Sequence, residues 1–221
     1  MRLDRRFLLA SAGAFTACAA GTAVLRGPAG LITPAQAQEV DLEALHAPGP
    51  LGPIAEGNPD APVTIVEYAS LTCPHCAAFH VETYPQIKEK YIDSGQARLI
   101  FREFPFEDVA LAAFMLVRCA PDGRQWAMID VLFRQQEVWA ARDANPRDEL
   151  FKIARLAGFT EQSFNECLKN EEVARGILAN REKGAEFGVR STPTFFINGR
   201  VLRGNQPLEE FEALIAEALG E

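Results

Sequence analysis

Cys73 and Cys76 bracket Pro74 and His75 within the stretch Glu67–His80, EYASLTCPHCAAFH. Two cysteines this close can close a disulfide with little backbone movement, and another thiol can open it again. The chemistry such a pair could do is thiol–disulfide exchange. A helix that begins at Cys73 leaves its first amide N–H groups without intrahelical partners and turns its positive dipole end toward the sulfur. A thiolate at Cys73 is therefore favoured, and its pKa is expected below the usual value of about 8.5. Pro74 suits the first helical turn, where a missing N–H costs nothing. His75 lies between the sulfurs and is expected to favour the thiolate. Cys76, one turn on, is expected to be more buried and to act as the resolving thiol. Glu67 precedes Cys73 by six positions in an apolar strand. A carboxylate there is costly to ionise and can exchange protons with Cys76. An edge-facing glutamate with access to water is the plainer alternative.

Other uses of the pair fit less well. A tetrahedral zinc site needs further Cys or His ligands at suitable spacing. The chain has no second Cys-X-X-Cys, and its other histidines are His46 and His80, so no metal is expected. A four-residue disulfide ring is also a poor structural staple, because it constrains little of the unfolded chain.

The elements that must position these residues follow from the pattern. Val63–Ser70, VTIVEYAS, is apolar and β-branched and predicts a buried strand. The helix from Pro74 is expected to run to about Ser94 with a kink at Pro85. Ala97–Pro105 predicts a second core strand, which completes a βαβ unit. Five helical segments follow over residues 108–187 with no convincing strand, which predicts an all-helical insert. Thr192-Pro193 precedes an apolar strand Thr194–Ile197, and Asn198-Gly199 predicts a hairpin turn into Arg200–Arg203. Pro207–Leu219 predicts an amphipathic closing helix. Gln38–His46 is expected to form one short helical turn. Pro48–Pro62 holds five prolines and three glycines, so residues 38–57 are expected to be an extended lead-in without packed structure. The fold class is α/β.

Residues 1–37 read as a secretory signal peptide, with Arg2, Arg5 and Arg6 ahead of an apolar, small-residue run and an Ala35-Gln36-Ala37 cleavage site. Arg5-Arg6 leaves twin-arginine and general export both open. Residues 1–37 hold four Arg and one Asp, so the remainder carries 18 Lys+Arg against 29 Asp+Glu, a formal charge of −11. That balance argues against nucleic acid or an anionic membrane surface as partner. Without Cys18 four cysteines remain, an even count suited to an oxidising compartment. Pairing Cys73 with Cys76 leaves Cys119 and Cys167, either joined or as two buried free thiols.

The segments EYASLTCPHC, FREFP, Arg118-Cys119-Ala120 and STPTFFING, in this order, resemble the DsbA family of periplasmic thiol:disulfide oxidoreductases over about residues 58–219. The resemblance implies a thioredoxin-like fold with an inserted helical subdomain. Cys73 would be the attacking thiol and Cys76 its buried partner. Pro193 would be a cis-proline facing them, and the Thr192 backbone would hold an extended client. Glu67 matches the buried acid of such strands, and His75 matches the family's histidine between the cysteines. Some members carry a second, non-catalytic disulfide in the helical insert, and Cys119 and Cys167 resemble that pair. Thr192 departs from the Val of the best-studied oxidases and is shared with isomerase- and reductase-like relatives. The isomerases add an N-terminal dimerisation domain, for which residues 38–57 are too short, so a monomeric oxidase is expected. It would act on unfolded or reduced exported proteins and be reoxidised by a membrane quinone-linked partner, with no cofactor of its own. An isomerase or reductase of the same fold, or a holdase-like chaperone with an idle dithiol, are the alternatives.

Overall fold

The computed structural model describes residues 40–221. The signal-peptide reading, its cleavage after Ala37 and Cys18 lie outside the described residues. The chain runs α1 (Leu42–His46), β1 (Ile54–Gly57), β2 (Val63–Ala69) and α2 (Pro74–Ala78). A π turn Phe79–Thr83, α3 (Tyr84–Ile87) and a second π turn Lys88–Ile92 continue α2 as one helical rod, which leads into β3 (Ala97–Glu103). Then come α4 (Asp108–Arg118), α5 (Gln125–Arg134), α6 (Gln136–Trp139), α7 (Pro146–Leu156), α8 (Glu161–Leu168) and α9 (Glu171–Glu186). The chain returns to the sheet with β4 (Thr194–Ile197) and β5 (Arg200–Arg203) and closes with α10 (Leu208–Leu219).

The sheet order is β1-β3-β2-β4-β5. β2 and β3 are parallel, and the other neighbours are antiparallel. Every residue of β2 is buried, as expected of a central strand covered on both faces. Side chains alternate across the pleat. Val63 and Ile65 pack with Phe79, Leu99, Phe195, Phe211 and Ile215 beneath the rod and α10. Val66 and Tyr68 pack on the opposite face with Leu45, Ile100, Phe104 and Phe196. Glu67 shares the parity of Val63 and Ile65, so it faces the rod. The hairpin turn has φ 42° at Asn198 and 87° at Gly199, the left-handed conformations that an Asn-Gly pair supplies. The Asn198 side chain also accepts from the Thr64 N–H at 2.8 Å and donates to Pro62 O at 3.1 Å.

α4–α9 form the insert between β3 and β4, and Phe114, Ile129, Leu132, Trp139 and Phe164 pack in one core with Ile54, Ala69, Leu71, Cys76 and Phe101 of the sheet side. The sulfurs of Cys119 and Cys167 are joined, tying the end of α4 to α8. α9 approaches the sheet so closely that a Cβ on Gly184 would lie 2.6 Å from the Tyr68 ring.

Two expectations need correction. The lead-in is packed: β1 pairs with β3 from Ile54↔Phe101 to Gly57↔Arg98, and Leu45 and Ile54 are buried. The free edge of β3 supplies a partner for four residues that show no strand pattern of their own. A buried carboxylate holds the same segment. Glu103 bonds to Arg118 and accepts from Asn180 Nδ2 at 2.6 Å, and Arg118 Nη1 donates to Leu51 O and Gly52 O at 3.1 and 3.0 Å. The helix after the cysteines is not simply kinked at Pro85. The Tyr84 N–H reaches back to Phe79 O across the first π turn, and Pro85, which has no N–H, begins the α3 winding after it.

Candidate active site: a buried dithiol

Cys73 is the N-cap of α2, with extended backbone at φ −81° and ψ 118°, and Pro74 is the first helical residue. The N–H groups of Cys76 and Ala77 donate to Cys73 O at 3.1 Å each. The geometry follows from proline's fixed φ at a helix start and the extended conformation it favours in the residue before it. Cys73 and Cys76 are both thiols in this structure; Cys73 is half-buried and Cys76 fully buried.

The two sulfurs sit in opposite environments. Hydrogen bonding from the Cys76 thiol, helped by Thr192 and by the backbone N–H groups of Cys76 and His75, outweighs burial and lowers Cys73 to about 5. Burial, the hydrogen bond to Cys73 and the nearby charges of Cys73 and Glu67 push Cys76 well up. The His75 side chain is exposed, and its backbone N–H is among the groups that lower Cys73. Pro74 is exposed beside it.

Thr192 and Pro193 are buried on the far side of Cys73, and the bond between them is cis. The Cys73 thiol donates to Thr192 O at 3.3 Å. The Thr192 hydroxyl is buried and has no hydrogen-bond partner among the described residues. It is a donor available to a thiolate at Cys73.

The insert grips the turn that carries Cys73. Gln136 of α6 is buried and donates from Nε2 to Leu71 O at 2.7 Å and to Cys73 O at 3.0 Å. Thr72 Oγ1 bonds to Glu107 at the start of α4 and to Ser70 Oγ at 3.1 Å. A groove of about 450 Å³ runs alongside, lined by Pro74, Ala78 and Val81 of the rod and by Phe133, Gln136 and Ala140 of the insert.

Glu67 is fully buried and bonds through Oε2 to His80 Nε2 at 2.9 Å. His80 stacks on Phe133 with ring centroids 4.3 Å apart. Sequence reasoning considered His80 only as a zinc ligand and missed Gln136. The signal for His80 was its position four residues after Cys76, on the same face of a helix. Gln136 carried no signal, because its partners are carbonyls more than sixty positions away.

A sheet of this order, with a Cys-X-X-Cys at the start of the helix after its central strand and a Thr-Pro against the first sulfur, defines a thioredoxin-like dithiol protein. The Thioredoxin family profile matches residues 51–217. The crystal structure of Wolbachia pipientis alpha-DsbA1 aligns with TM-score 0.71 and 31% identity, covering 76% of this chain and 91% of that one. The chain belongs to the DsbA family. BdbD from Bacillus subtilis shares the fold, with TM-score 0.69 at 23% identity over 76% of this chain and 92% of its own. A Rickettsia bellii protein named as a candidate protein-disulfide oxidoreductase is 34% identical over 169 residues, 75% of this chain and 64% of its own length. This chain spans 59–64% of the length of such Rickettsia relatives.

Proposed function

We propose that this protein is an exported thiol:disulfide oxidase that donates a Cys73–Cys76 disulfide to reduced, folding proteins. The observation that carries the reading is the split between the sulfurs: Cys73 is drawn down to about 5 while burial pushes Cys76 up. A client thiolate attacks Cys73 Sγ, the Cys73–Cys76 bond breaks, and Cys76 leaves with the electron pair and takes up a proton. A second client thiolate then attacks the client sulfur of the mixed disulfide, and Cys73 leaves as a stabilised thiolate. The client loses two electrons and the enzyme dithiol gains them. A good leaving group at Cys73 and a stabilised reduced state both favour this direction. Thr192 and Pro193 border the sulfur where an extended client segment would lie, and the Glu67 carboxyl stands on the side of Cys76.

Reoxidation requires a partner that passes the electrons on, and a membrane quinone-linked protein suits an exported enzyme. Residues 1–37 act as the export signal, cleaved after Ala37, and the mature domain works in the periplasm as a monomer; the catalytic domain takes in β1 together with residues 58–221, and about 108–187 is its helical insert. Cys119–Cys167 serves that insert as a structural staple. No described helix is long and apolar enough to cross a membrane. Thr192, in place of a Val, favours a second reading, an isomerase or reductase kept in the dithiol state. The test is the redox equilibrium of Cys73–Cys76 in glutathione buffers, on protein lacking residues 1–37. A value toward about −120 mV supports the oxidase, and a value near about −270 mV, as for thioredoxin, supports the reductase reading instead.

A further inference from the structure

On the sheet face opposite the rod, Arg102 is a buried cation without a counterion among the described residues. It stands on β3 beside Tyr68 of β2 and is 3% exposed. Its Nη2 donates to Ala47 O at 2.8 Å, while Nη1 is buried and has no hydrogen-bond partner among the described residues. Glu103, the next residue, has both oxygens engaged: Arg118 holds Oε1, and Asn180 Nδ2 donates to Oε2 at 2.6 Å. Burial draws Arg102 below its ordinary value, yet a guanidinium stays protonated throughout the range in which proteins work. It cannot shed its charge as a buried lysine can. A buried charge with no partner is costly. The titratable groups around it supply no negative charge to offset it. Burial pushes the Tyr68 phenol up to about 12. Burial, with Arg98 and Arg102 nearby, holds His46 toward its neutral form. Glu186 is paired with Lys183 at 2.9 Å.

Arg102 and Tyr68 line a cavity of about 250 Å³ between the sheet, the 47–50 segment and α9. Two close approaches set its walls. A Cβ on Gly49 would lie 2.0 Å from Asn180 Oδ1, and a Cβ on Gly184 would lie 2.6 Å from the Tyr68 ring. Glycine at these two places lets the segment and α9 close over the sheet. Leu45, Pro48 and Ala179 make much of the remaining lining apolar, and Lys183 stands exposed at the rim. The volume falls just below the range of about 300–1,000 Å³ that drug-sized ligands occupy. An apolar pocket with a few convergent polar groups is the usual form of a small-molecule site.

We propose that this cavity binds the carboxylate of a small organic acid, held by the donors of Arg102 that no described residue takes and by the Tyr68 hydroxyl. The site goes beyond the exchange chemistry and uses no residue of the dithiol. One unpaired cation suits one negative charge, and a planar carboxylate fits the fork of a guanidinium. A phosphate would bring further charge that nothing in the cavity balances. Tyr68 keeps its proton at any working pH, so its O–H is a donor for a carboxylate oxygen. The apolar lining then takes a short hydrocarbon tail, and the volume limits the acid to a few carbons. The bound acid would bridge the 47–50 segment, the central strands and α9. Because the site exists only in the folded chain, binding would stabilise the fold by mass action.

The experiment titrates butyrate into the mature protein by calorimetry and follows thermal melting at constant ionic strength. Butyramide is the uncharged control, and chloride and phosphate are the competing anions. Butyrate is expected to bind with a dissociation constant of about 1 mM or tighter and to raise the melting temperature saturably. Butyramide, chloride and phosphate are expected to do neither. Arg102→Met abolishes both responses, and Tyr68→Phe weakens binding about tenfold through the loss of one hydrogen bond to a charged group. Ala179→Phe fills the cavity, leaves Arg102 in place and abolishes binding as well; it decides the matter if Arg102→Met does not fold. An Arg102 that served only to hold Ala47 would change the melting temperature equally with and without butyrate. A butyrate response that survives either substitution overturns the placement. A wild-type protein that ignores butyrate at about 20 mM overturns the proposal and leaves an ordered water as the partner of Nη1. An equal response to chloride or phosphate overturns the choice of a carboxylate.

Discussion

Acidifying the dithiol form should cost it the thiolate at Cys73, and the energy involved follows from the site. A cysteine in the unfolded chain titrates at about 8.5. Cys73 titrates at about 5, with Cys76 and Thr192 as hydrogen-bonding partners. The folded value is depressed, so the stabilisation is complete above the unfolded value. It shrinks as pH falls between the two and is gone once pH passes below about 5. At about pH 7 the linkage gives about 2.7 kcal/mol, and solvent screening of the half-buried sulfur reduces this to about 1–2 kcal/mol. A disulfide does not titrate, so the same energy moves the couple about 20–45 mV in the oxidising direction. The assay is urea unfolding of the Cys73/Cys76 dithiol and of Cys73→Ser, each with Cys119–Cys167 intact, at a series of pH values from about 7 to about 4. Other carboxylates and histidines are common to both proteins and cancel in the difference. The expected result is a stability difference that falls by about 1–2 kcal/mol as pH drops through the window. A difference independent of pH would refute the claim that the fold stabilises a thiolate here.

Thr192→Val removes the buried hydroxyl beside Cys73, and the midpoint of iodoacetamide alkylation of Cys73 is expected to rise by about one pH unit. An unchanged midpoint would show that the hydroxyl does not reach the thiolate. Gln136→Leu strips Leu71 O and Cys73 O of a buried donor and is expected to lower the urea-unfolding free energy by about 1–3 kcal/mol. Peptide oxidation should slow as well, since the same turn carries the nucleophile. Arg118→Met leaves the Glu103 carboxylate buried with Asn180 as its remaining side-chain partner, and about 3–5 kcal/mol of stability should be lost. Arg118→Met combined with Glu103→Leu should recover part of that loss, because the two facing charges are then removed together; thermal melting of the two proteins decides it.

What could be read from the sequence was whatever has a local cause. Val63–Ala69 declares itself by an apolar β-branched run, and Thr194–Arg203 by a Thr-Pro start and an Asn-Gly turn. The positions of Cys73, Cys76 and Glu67 followed from short-range spacing. What could not be read depends on partners distant in sequence. β1 exists because β3 has an open edge, and Ile-Ala-Glu-Gly alone carries no strand period. Gln136 and Glu107 matter because the insert folds back over the Leu71–Cys73 turn. His80 became informative only once β2 was seen to present Glu67 to the same face of the rod. The part played by the His75 backbone was equally hidden: its N–H is among the groups that lower Cys73, which depends on how the helix start is wound and not on the residue type.

The rod that follows the dithiol twice departs from α winding, over Phe79–Thr83 and again over Lys88–Ile92. A π turn accommodates one residue more than the α turn it replaces. Length in this helix is therefore negotiable without moving its ends. A chain one residue shorter between His80 and Tyr84 could superpose on this one from Cys73 to Ile92, with the slack taken out of the first turn. In an alignment, a single-residue gap placed there would record a change of winding and not a missing side chain. Against a relative wound differently here, offsets counted from Cys76 would hold only as far as the first π turn, and positions beyond it would have to be matched in space.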